Sequence, residues 1–260
     1  GTATASNTAV SYVSKTSKTQ PGKYSIYVST APEKAALGGS SASDTLSLSS
    51  SGLTAAEKLT WMFSKNKTKS TPDYTSFSVT LSAGTTINTI VNNLNSVFAT
   101  NKVNLSASND SGKLKITSTD YGADIWFQVT TDQAGNGTTT WQIWNSAATR
   151  SDAGVNIIGQ INSHTASGLG NVLTAVSVFP EEGLKIIVDS NQAGGFGTLS
   201  LSSGIADRLS SSIASYTNAT SGLIKLKTDS VQKTVDNLTE RQIKIEDILC
   251  EFYFCISRIG

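Results

Sequence analysis

The chain has 260 residues, 38% of them hydrophobic and only 15% charged, and its 20 Lys and Arg nearly cancel its 19 Asp and Glu. That length buries a real core, as one large or two smaller units, under a surface covered mainly by Ser, Thr, Asn and Gly. The balance leaves no basic field for nucleic acid, and the longest uncharged apolar run, Phe252 to Ile256, is far too short to span a membrane.

Gly1 to Asn7 lack the positive start and apolar stretch of a secretory signal. Residues 1–20, rich in Ser and Thr, read as an extended lead-in. Tyr24, Ile26 and Val28 then alternate with polar neighbours between Pro21 and Pro32, which predicts a strand with one apolar face. Leu46 and Leu48 form a second short alternation. In Thr54 to Phe63, Thr54 as N-cap and Glu57 three residues on would complete a capping box, so a short helix is expected there. Phe77, Val79 and Leu81 alternate as a strand. Beyond Ala83-Gly84, apolar residues at Ile87, Ile90, Val91, Leu94, Val97 and Phe98 recur every three or four positions and predict an amphipathic helix.

Leu105 and Leu114 flank the turn Asn109-Asp110-Ser111-Gly112, which reads as a hairpin. Ile125, Phe127 and Val129 predict a further strand, as do Trp141 and Ile143. Short apolar runs separated by glycine turns continue to Val188. Gly194-Gly195-Phe196-Gly197 reads as a hinge. From about Ser203 to Leu249 the pattern is helical. Ile224, Val231, Leu238 and Ile245 repeat every seven residues, with Thr228, Val235, Gln242 and Leu249 four positions on. That is a heptad seam with two polar gaps, and it needs a partner: either Ser203 to Tyr216 folds back on it, or another segment or chain covers it. The expected packing or subunit interface is Ile224, Val231, Val235, Leu238, Ile245 and Leu249.

Chemistry has few candidates. The single histidine, His164, would need a nucleophile and a carboxylate around it to serve a hydrolase, and a hydrogen-bonded loop residue is the simpler reading. Glu181, Glu182 and Asp189 could supply a glycosidase pair, although adjacent glutamates in a Pro-Glu-Glu-Gly turn are more often just solvated. The glycines of 194–197 lack the Lys and Ser/Thr of a phosphate loop. Cys250 and Cys255 with one histidine do not make a four-ligand zinc set. Trp61, Trp126, Trp141 and Trp144 could line a sugar-binding face, against the commoner use in core packing. No catalytic residue, cofactor or metal is expected, and the chain reads as structural.

Four stretches, in order, resemble the bacterial flagellar filament cap family, the hook-associated protein 2 (FliD) family. The first is Gly22-Lys23-Tyr24-Ser25-Ile26-Tyr27-Val28. The second runs from Leu81 to Gly122, with Ala83-Gly84-Thr85-Thr86-Ile87 leading a helix into Leu105-Ser106-Ala107-Ser108 and Gly112-Lys113-Leu114-Lys115-Ile116; it is similar to the "IN" motif shared with flagellins, Asn95-Ser96 lying near its Ile-Asn. The third is Ile158-Gly159-Gln160-Ile161-Asn162-Ser163-His164-Thr165-Ala166-Ser167-Gly168. The fourth is Gly204-Ile205-Ala206-Asp207-Arg208-Leu209 with Thr220-Ser221-Gly222-Leu223-Ile224 and the heptad helix.

The resemblance implies an α+β fold, a β-rich two-lobed head of antiparallel strands with a short helix, inserted into a helical, coiled-coil-like leg. Residues 21–50 and 151–198 would form the first lobe, 51–150 the second, and 199–260 the leg. It also implies several copies at the filament tip, promoting flagellin polymerisation and preventing loss of exported subunits, with flagellin and hook-associated junction proteins as partners and sometimes adhesion to host surface glycans. The protein would be extracellular, exported without a cleavable signal, and the family's first helical segment would lie before residue 1. The end, Cys250 to Gly260, departs from the charged helix of the family. A related axial protein, flagellin or a junction protein, and a carbohydrate-binding or hydrolytic β domain are the alternatives.

Overall fold

The computed structural model describes residues 1–260 apart from Ser49, Ser257, Ile259 and Gly260. It divides into two compact units, one of Ala3–Leu201 and one of Gly1–Thr2 with Ser202–Gly260. The first unit holds β1 (Ala3–Ala5), β2 (Val10–Ser14), β3 (Gly22–Thr30), β4 (Lys34–Gly38), β5 (Glu57–Ser64), β6 (Thr75–Leu81), α1 (Ile87–Thr100), β7 (Leu105–Asp110), β8 (Lys113–Tyr121), β9 (Trp126–Thr131), β10 (Thr149–Ala153), β11 (Ile158–Ile161), β12 (His164–Leu169), β13 (Val172–Ala175), β14 (Lys185–Val188) and β15 (Gly194–Leu201). The second holds α2 (Ile205–Thr217) and α3 (Leu223–Ile256). The fold is α+β with all pairings antiparallel.

Eight strands form one sheet in the order β1-β15-β3-β11-β12-β13-β14-β2. Its two edge strands, β1 and β2, are joined by the four residues Ser6 to Ala9. Such a link reaches roughly 18 Å at most, whereas the edges of a flat eight-stranded sheet lie about 33 Å apart. The sheet therefore rolls on itself and encloses Tyr24, Ile26, Val28, Ile161, Leu173 and Ile186, all buried. Close strand contact inside this roll excludes a side chain at Gly168, where a Cβ would sit 1.7 Å from the Ile157 carbonyl oxygen.

A second core lies between the four-stranded sheet β10-β9-β5-β6, the three-stranded sheet β4-β8-β7 and α1. Its centre is Trp61, fully buried, with Phe98 edge-on at 5.1 Å and Phe77 and Phe127 stacked at 6.2 and 6.4 Å. The expected amphipathic helix is α1, and Ile90, Leu94 and Phe98 are its buried stripe. The expected hairpin is β7–β8: Asp110 pairs with Lys113, and Ser111 and Gly112 both have positive φ (58° and 84°). Those values fit the two-residue turn whose twist matches its strands.

Five expectations are corrected. Thr54 to Phe63 is not a helix, because its buried residues are Glu57, Leu59, Trp61 and Phe63, which alternate with period two on strand β5; Thr54 instead bonds the Trp141 amide at 2.7 Å. Trp141 and Ile143 form no strand. The amide of Trp141 goes to Thr54 and that of Ile143 to the Glu57 carboxylate, so neither is free for a ladder; Trp144 makes only a single bridge to Thr45. Gly194 to Gly197 is no hinge but the start of β15, with an irregular register against β3 and Phe196 buried. Residues 1–20 are extended, yet they are not a lead-in: β1 and β2 are bound into the rolled sheet. Finally, β4 pairs with β8 and Ala35 lies in the second core, so 34–50 does not belong with the first lobe as expected.

Candidate functional site

The second unit carries the longest helix and its most exposed apolar surface. Asn218 ends α2 by accepting the amides of Thr220 and Ser221 through its side-chain oxygen at 2.8 and 3.0 Å. After Gly222, α3 runs for 34 residues. Its polar side is stitched four residues apart, by Lys225 with Asp229, Gln232 with Asp236 (2.8 Å) and Gln242 with Glu246 (3.0 Å).

The expected interface residues lie on this helix and all face solvent: Ile224, Val231, Val235, Leu238, Ile245 and Leu249 are between 47% and 60% exposed. The seven-residue step continues onto Phe252, also exposed, because α3 runs on to Ile256. Of the tail Cys250 to Gly260, Ser257, Ile259 and Gly260 lie outside the described residues. Folding-back of Ser203 to Tyr216 does not cover the seam: Leu209, Ile213 and Tyr216 of α2 are themselves more than half exposed. Tyr216 and the first turns of α3, from Leu223 to Gln232, border an open hollow of about 490 Å³. Fully burying a side chain of this kind is worth about 1.5–3 kcal/mol, so an uncovered stripe of six is a strong drive to associate.

The chemical candidates of the first unit are brought into separate structural roles. His164 Nδ1 and Glu181 Oε1 are 2.5 Å apart, Glu181 is buried, and the imidazole stacks on Phe179 with ring centres 3.5 Å apart. Among the described residues no hydroxyl bonds to His164. Glu182 instead pairs with Lys18 at 2.8 Å, which together with the Val178 amide holds its carboxyl below the ordinary range. Asp189 accepts the Tyr121 hydroxyl at 3.0 Å. The three carboxylates thus serve three different contacts, and the loop between β13 and β14 is pinned from both sides. Thr16 and Thr19 add hydroxyl bonds to the Glu182 carbonyl at 3.0 and 2.6 Å.

The four tryptophans do not share a face. Trp61 and Trp144 are fully buried, and Trp126 is half-buried under Lys67, whose ammonium lies 4.4 Å from its ring. Cys250 and Cys255 are exposed free thiols on α3. Among the described residues no three His, Cys, Asp or Glu side chains cluster as a metal site would require, and no helix is long and apolar enough to cross a membrane.

Sequence reasoning missed one buried acid. Glu57 accepts the Thr131 hydroxyl at 2.6 Å and the Ile143 amide at 3.2 Å, fastening the loop after β9 to β5. Burial pushes its carboxyl above the ordinary glutamate range, partly opposed by those two bonds. Its inward place in the alternation with Leu59, Trp61 and Phe63 was the available signal.

No protein-family model matches the chain, and no curated relative matches it. Solved structures do. The chain is similar to the D2-D3 domains of the flagellar cap protein FliD from Escherichia coli, at 19% identity over 78% of this chain and 98% of that one, TM-score 0.49. It is similar to the longer D1-D2-D3 form from the same organism, at 18% identity over 80% of this chain and 59% of that one, TM-score 0.47. It is similar to FliD (HAP2) from Pseudomonas aeruginosa PAO1, at 15% identity over 84% and 95%, TM-score 0.45.

Proposed function

We propose that this chain is part of a bacterial flagellar filament cap protein, a secreted structural component that sits at the filament tip, promotes flagellin polymerisation and holds back exported subunits. The observation that carries the reading is the uncovered heptad seam of α3, borne by a chain whose β3, α1–β8 and β11–β12 segments and whose helices hold the four family-like stretches. Assembly is what such a seam is for. Six exposed apolar side chains at heptad spacing call for a facing helix, and in a multi-copy cap other copies supply one.

The seam also carries register information. Thr228 and Gln242 interrupt it with polar groups, a feature that selects alignment at some cost in stability. In a parallel pairing in register, Arg241 of one helix would face Glu246 of the other across the seam.

Complementation tests the reading. The gene encoding this chain is expressed in a flagellated bacterium lacking its own cap protein, and swimming and flagellin shed into the medium are scored. Restored motility with less shed flagellin is expected. Normal expression and export without rescue, in a strain that the host's own cap gene does rescue, would overturn it. A Val231→Asp/Leu238→Asp double variant should lose rescue while the first unit stays folded.

A further inference from the structure

The second core has four sheet edges, and three are guarded. The edge of β7 is capped by a side chain: Asn95 of α1 donates to the Ala107 carbonyl at 3.0 Å and accepts the Ala107 amide at 2.8 Å, standing in for a neighbouring strand. The edges of β4 and β10 meet, and Asp152 of β10 takes the Ala36 amide of β4 at 2.7 Å; β4 also has a register irregularity between Lys34 and Ala36. Side-chain caps, inward charges and bulges are how sheets prevent edge pairing.

Among the described residues the fourth edge, β6, has none of these. It is seven residues long, Thr-Ser-Phe-Ser-Val-Thr-Leu, with no charge, no proline and an unbroken register against β5. Among the described residues no strand pairs with its outer side. Ser76, Ser78 and Thr80 are exposed.

We propose that β6 is a strand-addition surface whose occupant is β6 of a second copy of this chain, paired antiparallel about Ser78. The sequence is self-complementary in that arrangement. Ser76 faces Thr80 of the other copy and Phe77 faces Val79, giving hydroxyl pairs on one face and aromatic against β-branched pairs on the other, both favourable across strands. Asp73 falls opposite Ala83, so no like charges meet. Pairing would join β10-β9-β5-β6 of both copies into one continuous sheet through a two-fold, closed contact. This contact is independent of the α3 seam.

Cross-linking tests it in the full chain, with Cys250→Ser and Cys255→Ser removing the native thiols. Directly opposed residues of antiparallel strands have Cα atoms about 4.5–5.5 Å apart, within disulfide reach. Ser78→Cys should therefore form a disulfide-linked dimer on mild oxidation. Ser76→Cys should form about tenfold less, because its counterpart would be offset by four residues, roughly 13 Å. A mixture of Ser76→Cys and Thr80→Cys chains should cross-link between the two. As a second readout, Ser76→Glu with Thr80→Lys should preserve cross-linking of Ser78→Cys, and Thr80→Lys with Ser76→Lys should abolish it. Equal cross-linking at 76 and 78, or none at 78, overturns the proposal, as does a β6 edge occupied only by a different protein. Loss of cross-linking with intact cap complementation would leave the seam reading standing.

Discussion

Helices α1 and α3 carry the same kind of apolar stripe and end in opposite states. On α1, Ile90, Leu94 and Phe98 are buried in the second core, Phe98 against Trp61 and Phe77; on α3, Ile224, Val231 and Leu238 are nearly 60% exposed. The periodicity of a sequence therefore specifies a face, and only the rest of the fold specifies whether that face is used within the chain. α1 packs against β6, β7 and β8 of its own core. Among the described residues of its unit, α3 has only the helix α2 beside it, and α2 leaves its own apolar residues in water.

The comparison is broken most forcefully from the α1 side. Phe98→Ala removes a buried ring at the centre of the second core and should cost about 3–5 kcal/mol, read from the urea midpoint of unfolding. Asn95→Ala strips both bonds from the β7 edge and should cost about 1–3 kcal/mol. It should also make the chain more prone to aggregate, which light scattering would show.

A smaller effect comes from Glu57 and depends on pH. Its folded-state carboxyl is raised above the ordinary range, so the stability linked to its protonation is present at low pH and lost as pH rises through that raised range. Glu57→Gln should remove this slope from a plot of unfolding midpoint against pH and leave other parts of the profile in place. An unchanged slope would mean that Glu57 is not the group responsible. The smallest effect on isolated-chain stability belongs to the α3 side. Leu238→Ala should shift unfolding at low concentration by less than about 0.5 kcal/mol, while weakening association measured by sedimentation as concentration rises.

How much was legible follows the same physics. α1 could be read because its stripe has period 3.6 and Gly84 stops the strand before it; the β7–β8 turn could be read because Ser-Gly supplies two positive φ values. β5 imitates a helix start because a Thr and a Glu three apart look like a helix cap, whereas the Glu is the first of four inward residues. β1 and β2 give little signal because their residues bury little: Val10 is buried, while Ala3 and Ala5 only pack partly against the core. The glycines at the start of β15 read as a break because glycine marks both flexible links and irregular strand pairing. The seam residues were legible as a pattern. Their exposure was not, since it depends on whether α2 returns to cover them.

One feature of the rolled sheet bears on how the first unit is made. Its first strand pairs with its last, Ala3 facing Leu201, so the final ring of pairing spans almost the whole unit in sequence. Contacts between such distant residues close large loops and form slowly. β15 also separates β1 from β3, so the pairing of β1 cannot be completed until residue 201 is available, whereas β2 needs only β14, which ends at Val188. A chain that emerges with its N-terminus first must therefore hold Ala3–Ala5 unpaired until its last strand arrives.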